Sequence, residues 1–319
     1  MKEILYLVIP CYNEEEVLGE TSKRLLEKLS FMISNNIVSN RSKIMFVNDG
    51  SKDKTWDIIN DLYNKNEIFC GINLSRNRGH QNALLAGLLT AKDNADMVIS
   101  LDADLQDDID VIDNFVKEYY KGNDIVYGVR SSRETDTFFK RITALGFYKF
   151  MNFLGVNLIY NHADYRLMSK RALEGLSKFN EVNLFLRGIV PLVGYKYSIV
   201  EYDRHERFAG ESKYPLKKMI AFALDGITSF SIKPIRMITG LGFSMFLISL
   251  VTFIYSIASK FTGRATSGWT SLILSIWMIG SIQLLSLGVI GEYIGKIYNE
   301  TKHRPRYVIS DLIIRKDAK

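Results

Sequence analysis

The chain has 319 residues, of which 47% are hydrophobic, and its 41 lysines and arginines outnumber its 35 acidic residues to give a formal net charge of +6. This composition excludes an intrinsically disordered chain and allows one or two globular domains. Much of the basic excess flanks long apolar segments, so it predicts a membrane surface as the partner and no nucleic acid. The two cysteines, Cys11 and Cys70, fit reduced core thiols of the cytosol better than a disulfide framework.

In residues 1–130, short apolar runs alternate with longer amphipathic ones. The short runs predict strands, with helices between them. This alternation predicts an α/β fold with a mostly parallel, Rossmann-like sheet covered by helices on both faces. No dinucleotide fingerprint or Walker loop follows these strands, which disfavours a dehydrogenase or a P-loop enzyme. The predicted strands are residues 4–9, 44–47, 68–74, 97–101 and 125–127.

Polar clusters follow the first, second and fourth predicted strands, at residues 10–15, 48–51 and 102–104. Because ligands of such sheets bind beyond the carboxyl ends of the strands, these clusters should converge. Asp102 and Asp104 are two residues apart at the end of an extended run, so their carboxylates project to the same side. Two such carboxylates suit Mg²⁺ or Mn²⁺ held together with substrate phosphates.

Asp49 lies between the second strand and Gly50, a position that suits a sharp turn beneath a planar ligand. Its carboxylate can accept hydrogen bonds from a base or a ribose. The alternative for this turn is helix capping, in which Ser51 or Asp53 caps the next helix. The two roles are compatible.

Two later segments, residues 131–160 and 215–231, are predicted as interfacial helices at a membrane surface. The first combines phenylalanines and tyrosines with lysines and arginines at helical spacing. An ordinary packed helix remains the alternative there. The second lies directly before a long apolar block.

Two blocks without a formal charge, residues 237–259 and 265–291, are each long enough to cross a bilayer core of about 30 Å. Basic residues flank the pair on both outer sides, which places both flanks in the cytoplasm. Residues 4–9 are too short an apolar run for a signal peptide. The predicted organisation is a cytosolic domain (1–210), a juxtamembrane amphipathic segment (211–234), a two-helix transmembrane hairpin (235–298, spans 237–259 and 268–291) and a cytosolic tail (299–319), in a multi-pass plasma-membrane protein.

Four ordered motifs, at residues 8–15, 47–51, 74–81 and 101–107, together resemble family 2 glycosyltransferases. Segments 163–168 and 207–214 and the two C-terminal spans extend the resemblance over nearly the whole chain. The chain is most similar to the polyisoprenyl-phosphate type, the group of bactoprenol glucosyltransferase and dolichol-phosphate mannose synthase. The resemblance implies a GT-A fold, inversion at the anomeric carbon and a divalent metal, Mg²⁺ or Mn²⁺.

The resemblance also implies roles for individual residues. Asp102 and Asp104 would bind the metal and the diphosphate, and Asp164 would orient the acceptor or act as a base, with Arg166 beside it. The remaining donor-binding residues would be Pro10, Asn13, Glu14, Asp49, Ala103 and Gln106. Candidates for binding the acceptor phosphate are Arg130, Arg141, Arg207, Ser212 and Lys213, because arginine grips phosphate with two donors and lysine supplies a point charge. Arg130 and Arg207 match the family positions best, and a solvated or lipid-facing charge is the alternative for the others.

A base is scarcely needed for a phosphate acceptor. The second pKa of a phosphate monoester is about 6, so at neutral pH the acceptor is already largely a nucleophilic dianion. We therefore expect Asp164 to position groups, with a simple salt bridge to Arg166 as the structural alternative. His80, alone in a loop before an apolar helix, is expected to be structural, with ligand contact as the alternative.

The predicted reaction is transfer of a hexose, with glucose from UDP-glucose first, to undecaprenyl or another polyprenyl phosphate for cell-envelope glycan modification. A processive polysaccharide synthase is one alternative, but the Gln-x-x-Arg-Trp element typical of those enzymes is absent from the sequence. A nucleotide-sugar sensor or scaffold without turnover is another. The family implies a flippase and a downstream glycosyltransferase as partners, and the lipid-facing surface of two spans suits a homo-oligomer.

Overall fold

One mixed sheet organises the computed structural model, which describes residues 2–131, 162–203, 233–261 and 268–315. Within these ranges the sheet has eight strands in the order β7-β5-β6-β4-β1-β2-β3-β8. The strands are β1 (Leu5–Cys11), β2 (Lys43–Asn48), β3 (Phe69–Leu74), β4 (Met97–Ser100), β5 (Ile125–Arg130), β6 (His162–Ser169), β7 (Tyr197–Tyr202) and β8 (Ile309–Ile313).

Eight α-helices accompany the sheet in the described ranges, together with a short 3₁₀ helix at Ile109–Val111. Six of them pack on the sheet or at its edges, and the last two form the C-terminal hairpin. They are α1 (Leu18–Ser34), α2 (Thr55–Lys65), α3 (His80–Ala91), α4 (Ile112–Tyr120), α5 (Lys170–Leu176), α6 (Leu186–Leu192), α7 (Lys233–Phe261) and α8 (Trp269–Thr301).

The centre of the sheet is parallel, as the sequence predicts. β1 pairs in parallel with β2 and with β4, and β2 pairs in parallel with β3. All seven residues of β1 are buried, because helices cover both of its faces, and this explains its uninterrupted apolar sequence. The prediction of a mostly parallel α/β sheet is confirmed, with β6 and β8 as antiparallel additions.

Two apolar layers hold the helices against the sheet. On one face, α1 and α4 contribute Leu25, Leu29 and Phe115 to a buried cluster. On the other face, α3 packs so closely that a Cβ at Gly87 would lie 2.4 Å from Cγ1 of Val8. The sheet is therefore fixed from both sides, and its carboxyl edge forms a rigid base for the loops that follow the strands.

The C-terminal part contains the two long apolar helices. Of the residues described, Met278–Thr301 is the stretch whose length and mean hydropathy of 1.3 suffice to cross a membrane. It lies in α8, whose 33 residues extend for about 50 Å. Leu284 and Leu285 are 73% and 71% exposed, so this helix is not covered by the rest of the chain. The predicted spans 237–259 and 268–291 lie within or directly beside α7 and α8, since residue 268 immediately precedes α8.

The segment assigned to a tail, residues 299–319, contains a strand of the sheet. β8 pairs antiparallel with β3 and brings Leu312 opposite Ile72. The side chain of Asn73 donates a hydrogen bond of 2.9 Å to Asp311, which is 238 residues away. The chain therefore returns from the hairpin to the edge of the sheet. The two predicted interfacial helices fall almost entirely on residues 132–161 and 204–232, outside the described residues.

Candidate active site

The candidate site lies at the carboxyl edge of the sheet, where the polar clusters follow β1, β2 and β4. The antiparallel register of β6 against β4 pairs Ser100 with Arg166. Asp164, two residues earlier on β6, therefore extends past the end of β4 toward Asp102. The hydroxyl of Ser100 donates a 2.5 Å hydrogen bond to the carbonyl of Asp164 and fixes this register.

Two segments are joined by hydrogen bonds: residues 11–15, from the last residue of β1, and residues 49–55, from the end of β2 to the first residue of α2. We call them the donor loops, after the donor-binding role that the resemblance implies for Asn13, Glu14 and Asp49. The Asn13 backbone, at a φ of 52°, donates to the hydroxyl of Ser51 at 2.9 Å. The side-chain oxygen of Asn13 accepts from the Lys52 amide at 2.9 Å. The Glu14 amide donates to the Thr55 hydroxyl at 2.9 Å. Pro10 is buried at the end of β1 opposite Val47, so the donor loops start from a fixed strand end.

Asp49 fastens the donor loops to the start of α3. Its two carboxylate oxygens accept hydrogen bonds from the backbone amides of Arg78 at 2.7 Å and Gly79 at 2.9 Å. Burial raises the pKa of Asp49, although these two amides oppose the shift. The predicted ligand-facing carboxylate thus has a structural task, which is to hold the residues that precede His80.

The segment after β4 carries the predicted metal pair. Asp102 remains 41% exposed at its side chain, while Ala103 is buried and its carbonyl accepts a 2.7 Å hydrogen bond from the Thr21 hydroxyl of α1. The amide of Gln106 donates to the Asp104 carboxylate at 3.2 Å. Ala103 therefore anchors the segment, and the two aspartates on either side of it remain partly exposed.

The donor set fits a divalent cation that takes its remaining ligands from a substrate. Partial loss of solvent around Asp102, together with the neighbouring carboxylates of Asp164 and Asp104, raises its pKa, although His80 opposes the shift. A cation relieves such crowding of like charges. Among the described residues no group of three or more acidic, histidine or cysteine side chains could enclose an ion. Two carboxylates completed by diphosphate oxygens are the arrangement that Mg²⁺ commonly adopts.

Asp164 is the centre of a group of charges, the Asp164 cluster, formed with Arg166, Arg187 and His80. Its carboxylate lies 2.5 Å from Nη2 of Arg166, 3.1 Å from Nη2 of Arg187 and 3.6 Å from Nε2 of His80. Burial alone would raise the pKa of Asp164, but Arg187, His80 and Arg166 outweigh it and hold the pKa well below its usual range. Asp164 is therefore an ionised organiser and a very weak base.

His80 joins the Asp164 cluster to the metal pair. Its Nε2 lies 3.7 Å from Asp102 as well as 3.6 Å from Asp164. Burial lowers the pKa of His80, but the two carboxylates outweigh it and raise the pKa to about 9. The imidazole therefore carries a positive charge at neutral pH. The sequence favoured a structural role for this residue, with ligand contact as the alternative.

The segment after β4 also contains a buried acidic residue, Asp107. Its Oδ1 accepts a 2.6 Å hydrogen bond from the hydroxyl of Tyr202 on β7. Nη2 of Arg130 lies 3.9 Å from the same oxygen. Burial and the charge of Asp102 raise the pKa of Asp107 to about 6. Of the predicted acceptor residues, Arg130 is thus near the site and 30% exposed, while Arg141, Arg207, Ser212 and Lys213 lie outside the described residues.

The sequence interpretation missed Arg187, Asp107 and Tyr202. Arg187 is the single charge in the apolar helix α6, and an isolated charge of this kind is the signal that the sequence offered. Asp107 lies inside a recognised motif but three residues beyond the metal pair. Tyr202 is 95 residues from its partner, so no local pattern connects them.

Comparison with known proteins places this site in a family. Residues 6–177 match Glycosyl transferase family 2, and residues 233–297 match the GtrB C-terminal hairpin. The chain is 57% identical over 306 residues to the uncharacterized glycosyltransferase YkoT of Bacillus subtilis, covering 96% of this chain and 91% of that one. It is 40% identical over 310 residues to the bactoprenol glucosyl transferase of Shigella phage SfV, covering 96% and 97%. A mannosyltransferase of Pyrobaculum calidifontis, solved with GDP-Man and Mn²⁺, aligns at 14% identity and a TM-score of 0.47, covering 92% and 88%.

The sheet, its carboxyl-edge site, and the family and sequence matches define a glycosyltransferase with a GT-A-like fold. The chain belongs to glycosyl transferase family 2 and carries the GtrB C-terminal hairpin, so it is a membrane-associated enzyme. The resemblance stated from the four motifs is confirmed.

Proposed function

We propose that this enzyme transfers a hexose, with glucose from UDP-glucose as the first candidate, to a polyisoprenyl phosphate such as undecaprenyl phosphate. The product is a polyprenyl-monophosphate sugar for modification of cell-envelope glycans. The observation that carries the proposal is that the Asp164 cluster lies beside Asp102, with Nε2 of His80 3.7 Å from the Asp102 carboxylate. This arrangement places acidic groups for a cation next to cationic groups for phosphate. Relatives named bactoprenol glucosyl transferase, about 40% identical over nearly their whole length, support the choice of sugar and lipid.

In the proposed reaction an oxygen of the acceptor phosphate forms a bond to the anomeric carbon. The bond from that carbon to the nucleoside diphosphate breaks, and the configuration inverts. The acceptor needs no base because its second pKa of about 6 leaves it largely dianionic at neutral pH. Asp164, with its depressed pKa, is accordingly assigned the task of orienting Arg166, Arg187 and His80. Alignment and electrostatics, rather than proton transfer, lower the barrier.

Asp102 and Asp104 are proposed to hold Mg²⁺ or Mn²⁺, which would supply charge for the departing diphosphate. The donor loops, through Asn13, Glu14 and Asp49, are proposed to bind the nucleoside together with Pro10 of β1. Arg130 is the described residue proposed for the acceptor phosphate. The mixture of a carboxylate pair and nearby cations suits two phosphorylated substrates that must approach each other.

The hairpin is proposed to span the membrane twice with both termini in the cytoplasm, which would hold the catalytic edge near the lipid phosphate. Basic residues on both outer flanks of the hairpin support this orientation. A homo-oligomer, a flippase that moves the lipid-linked sugar and a downstream glycosyltransferase are proposed as partners.

The test is release of nucleoside diphosphate from a panel of UDP- and GDP-sugars by the purified full chain. Each reaction contains undecaprenyl phosphate and Mg²⁺ or Mn²⁺. We expect release that depends on both lipid and metal, with UDP-glucose as the best donor. Asp104→Asn should abolish it, whereas Asp93→Asn, at a 72% exposed side chain after α3, should not.

Each outcome decides a part of the proposal. Lipid-dependent release from a different sugar would correct the donor and keep the reaction. Formation of a polymer would favour a processive synthase. No release from any donor by folded, donor-binding protein would overturn the proposal in favour of a sensor.

A further inference from the structure

The cytosolic end of α8 contacts the loop between α5 and α6. The carboxylate of Glu300, in the last turn of α8, accepts hydrogen bonds from the amides of Val182 at 2.9 Å and Asn183 at 2.8 Å. The side-chain nitrogen of Asn183 donates a third bond of 3.0 Å to the same carboxylate. Bonds to an ionised acceptor are stronger than neutral ones, so the loop is held firmly to the helix.

The held loop leads directly into the Asp164 cluster. Three residues after Asn183, the amide of Leu186 donates a 2.8 Å hydrogen bond to the side chain of Gln81 in α3. The next residue is Arg187, which pairs with Asp164 at 3.1 Å. Residues 182–187 are therefore restrained at both ends. Glu300 holds the first two residues, and Asp164 pairs with the last, Arg187.

A second set of contacts fixes the chain that leaves α8. Nη1 of Arg306 donates a 2.8 Å hydrogen bond to the carbonyl of Phe179, earlier in the same loop. The carbonyl of Val308 accepts a 2.9 Å bond from the amide of Ser75, where β8 joins β3. The end of the membrane helix is thus tied to the catalytic domain at the loop and again at the sheet edge.

We propose that Glu300 is a positioning residue that couples the end of α8 to Arg187 and so sets the geometry of the Asp164 cluster. In this arrangement the helix that anchors the enzyme also aligns its catalytic charges. The contacts of Glu300 are with backbone amides, so its effect on the reaction passes through residues 182–187. The inference rests on the proposed function only where the transfer rate is used to measure it.

The first test compares Glu300→Ala and Glu300→Gln with the native enzyme in nanodiscs. The control is Glu292→Ala, an exposed acidic residue about two turns earlier on the same helix. Hydrogen exchange of residues 178–192 should quicken in Glu300→Ala and stay unchanged in Glu292→Ala. The kcat for lipid glycosylation should fall about tenfold while the KM for the nucleotide-sugar stays within about twofold. Glu300→Gln retains one acceptor oxygen, so its exchange rate and its kcat should lie between those of the native enzyme and those of Glu300→Ala.

The second test is a double-mutant cycle between Glu300→Ala and Arg187→Ala. If Glu300 acts through Arg187, the double variant should lose little more activity than Arg187→Ala alone. Losses that multiply would overturn the coupling. Unchanged exchange at residues 178–192 would overturn it as well, even if the native enzyme proved to transfer no sugar. If the native enzyme is inactive but exchange is altered in Glu300→Ala, the proposed reaction is refuted. The restraint of residues 182–187 by Glu300 is then still supported.

Discussion

The donor loops and the Asp164 cluster lie at the same edge of the sheet but are built from different interactions. In the donor loops, side chains such as Asn13 and Asp49 bind backbone amides of neighbouring loops. In the Asp164 cluster, side chains bind other side chains, and Asp164 is surrounded by His80, Arg166 and Arg187. The first region fixes a shape, and the second fixes a distribution of charge.

This difference predicts different responses to mutation. A loop held by hydrogen bonds to backbone amides is sensitive to changes in backbone conformation, whereas a buried charge cluster is sensitive to the loss of one charge. The largest effect should therefore come from neutralising the centre of the cluster.

Asp164→Asn removes the one negative charge that faces three cationic groups while keeping the shape of the side chain. Arg166, of which 1% of the side chain is exposed, would be left without its carboxylate. Breaking a buried pair in this way costs about 4 kcal/mol of unfolding free energy. We expect kcat to fall by about a hundredfold or more as well. Denaturant unfolding in detergent and the transfer assay measure the two effects.

The matched control is Glu20→Gln, which neutralises a carboxylate paired at 2.7 Å with Arg24 on the surface of α1. Exposed ion pairs contribute little, so its unfolding midpoint should not change. Equal effects of the two substitutions would contradict the assignment of Asp164 as an organiser of buried charge.

The difference between local and long-range contacts explains which parts of the site the sequence predicted. The central strands are continuous apolar runs and were predicted, and Asp102 and Asp104 follow one of them at a spacing that indicates a metal site. These signals are local. The partners of Asp164 are 84, 2 and 23 residues away, at His80, Arg166 and Arg187, and only the nearest was proposed.

The missed strands have the same cause. β8 is a short, half-exposed edge strand, so its burial pattern is weak. It forms only because β3 offers an open edge more than 230 residues away. β6 places Asp164 and Arg166 on one face and buried Tyr165 and Leu167 on the other, and the ion pair interrupts the apolar signal of a buried strand. Pairing at long range is decided by tertiary structure, which propensity alone does not contain.

A backbone test of the donor loops compares Gly50→Ala with Gly79→Ala. Both glycines have a positive φ, 63° and 87°, so each substitution strains the backbone. A Cβ at Gly50 would also lie 2.5 Å from the backbone of Arg76 and Asn77, whereas a Cβ at Gly79 would meet nothing within 4 Å. We expect a loss of about 3 kcal/mol for Gly50→Ala and about 2 kcal/mol for Gly79→Ala, whose φ of 87° and ψ of 152° lie in a region that only glycine adopts readily.

The unfolding midpoint and the KM for the nucleotide-sugar are measured for both glycine variants. The KM should rise more for Gly50→Ala, because the turn after β2 supports the donor loops. A Gly79→Ala variant that is the less stable of the two would show that the close approach to residues 76 and 77 is unimportant.

The smallest effect is expected outside both regions, at the hydrogen bond that Tyr202 donates to the buried carboxyl of Asp107. Tyr202→Phe removes that 2.6 Å bond and should cost about 1 kcal/mol. Tyr197→Phe, on the same strand but 57% exposed, is the control and should cost nothing measurable.

The cost of Tyr202→Phe should depend on pH. The folded pKa of Asp107, about 6, exceeds its ordinary value of 3.8, so the stability that this shift contributes is fully present below about pH 4. It is lost as the pH rises through 6, where the carboxylate must be buried ionised. The Tyr202 hydroxyl supports that ionised form, and its removal should therefore destabilise the enzyme more at pH 7.5 than at pH 4.5. Thermal unfolding at both pH values measures the difference, and an equal cost at both would mean that Asp107 does not change its protonation state between them.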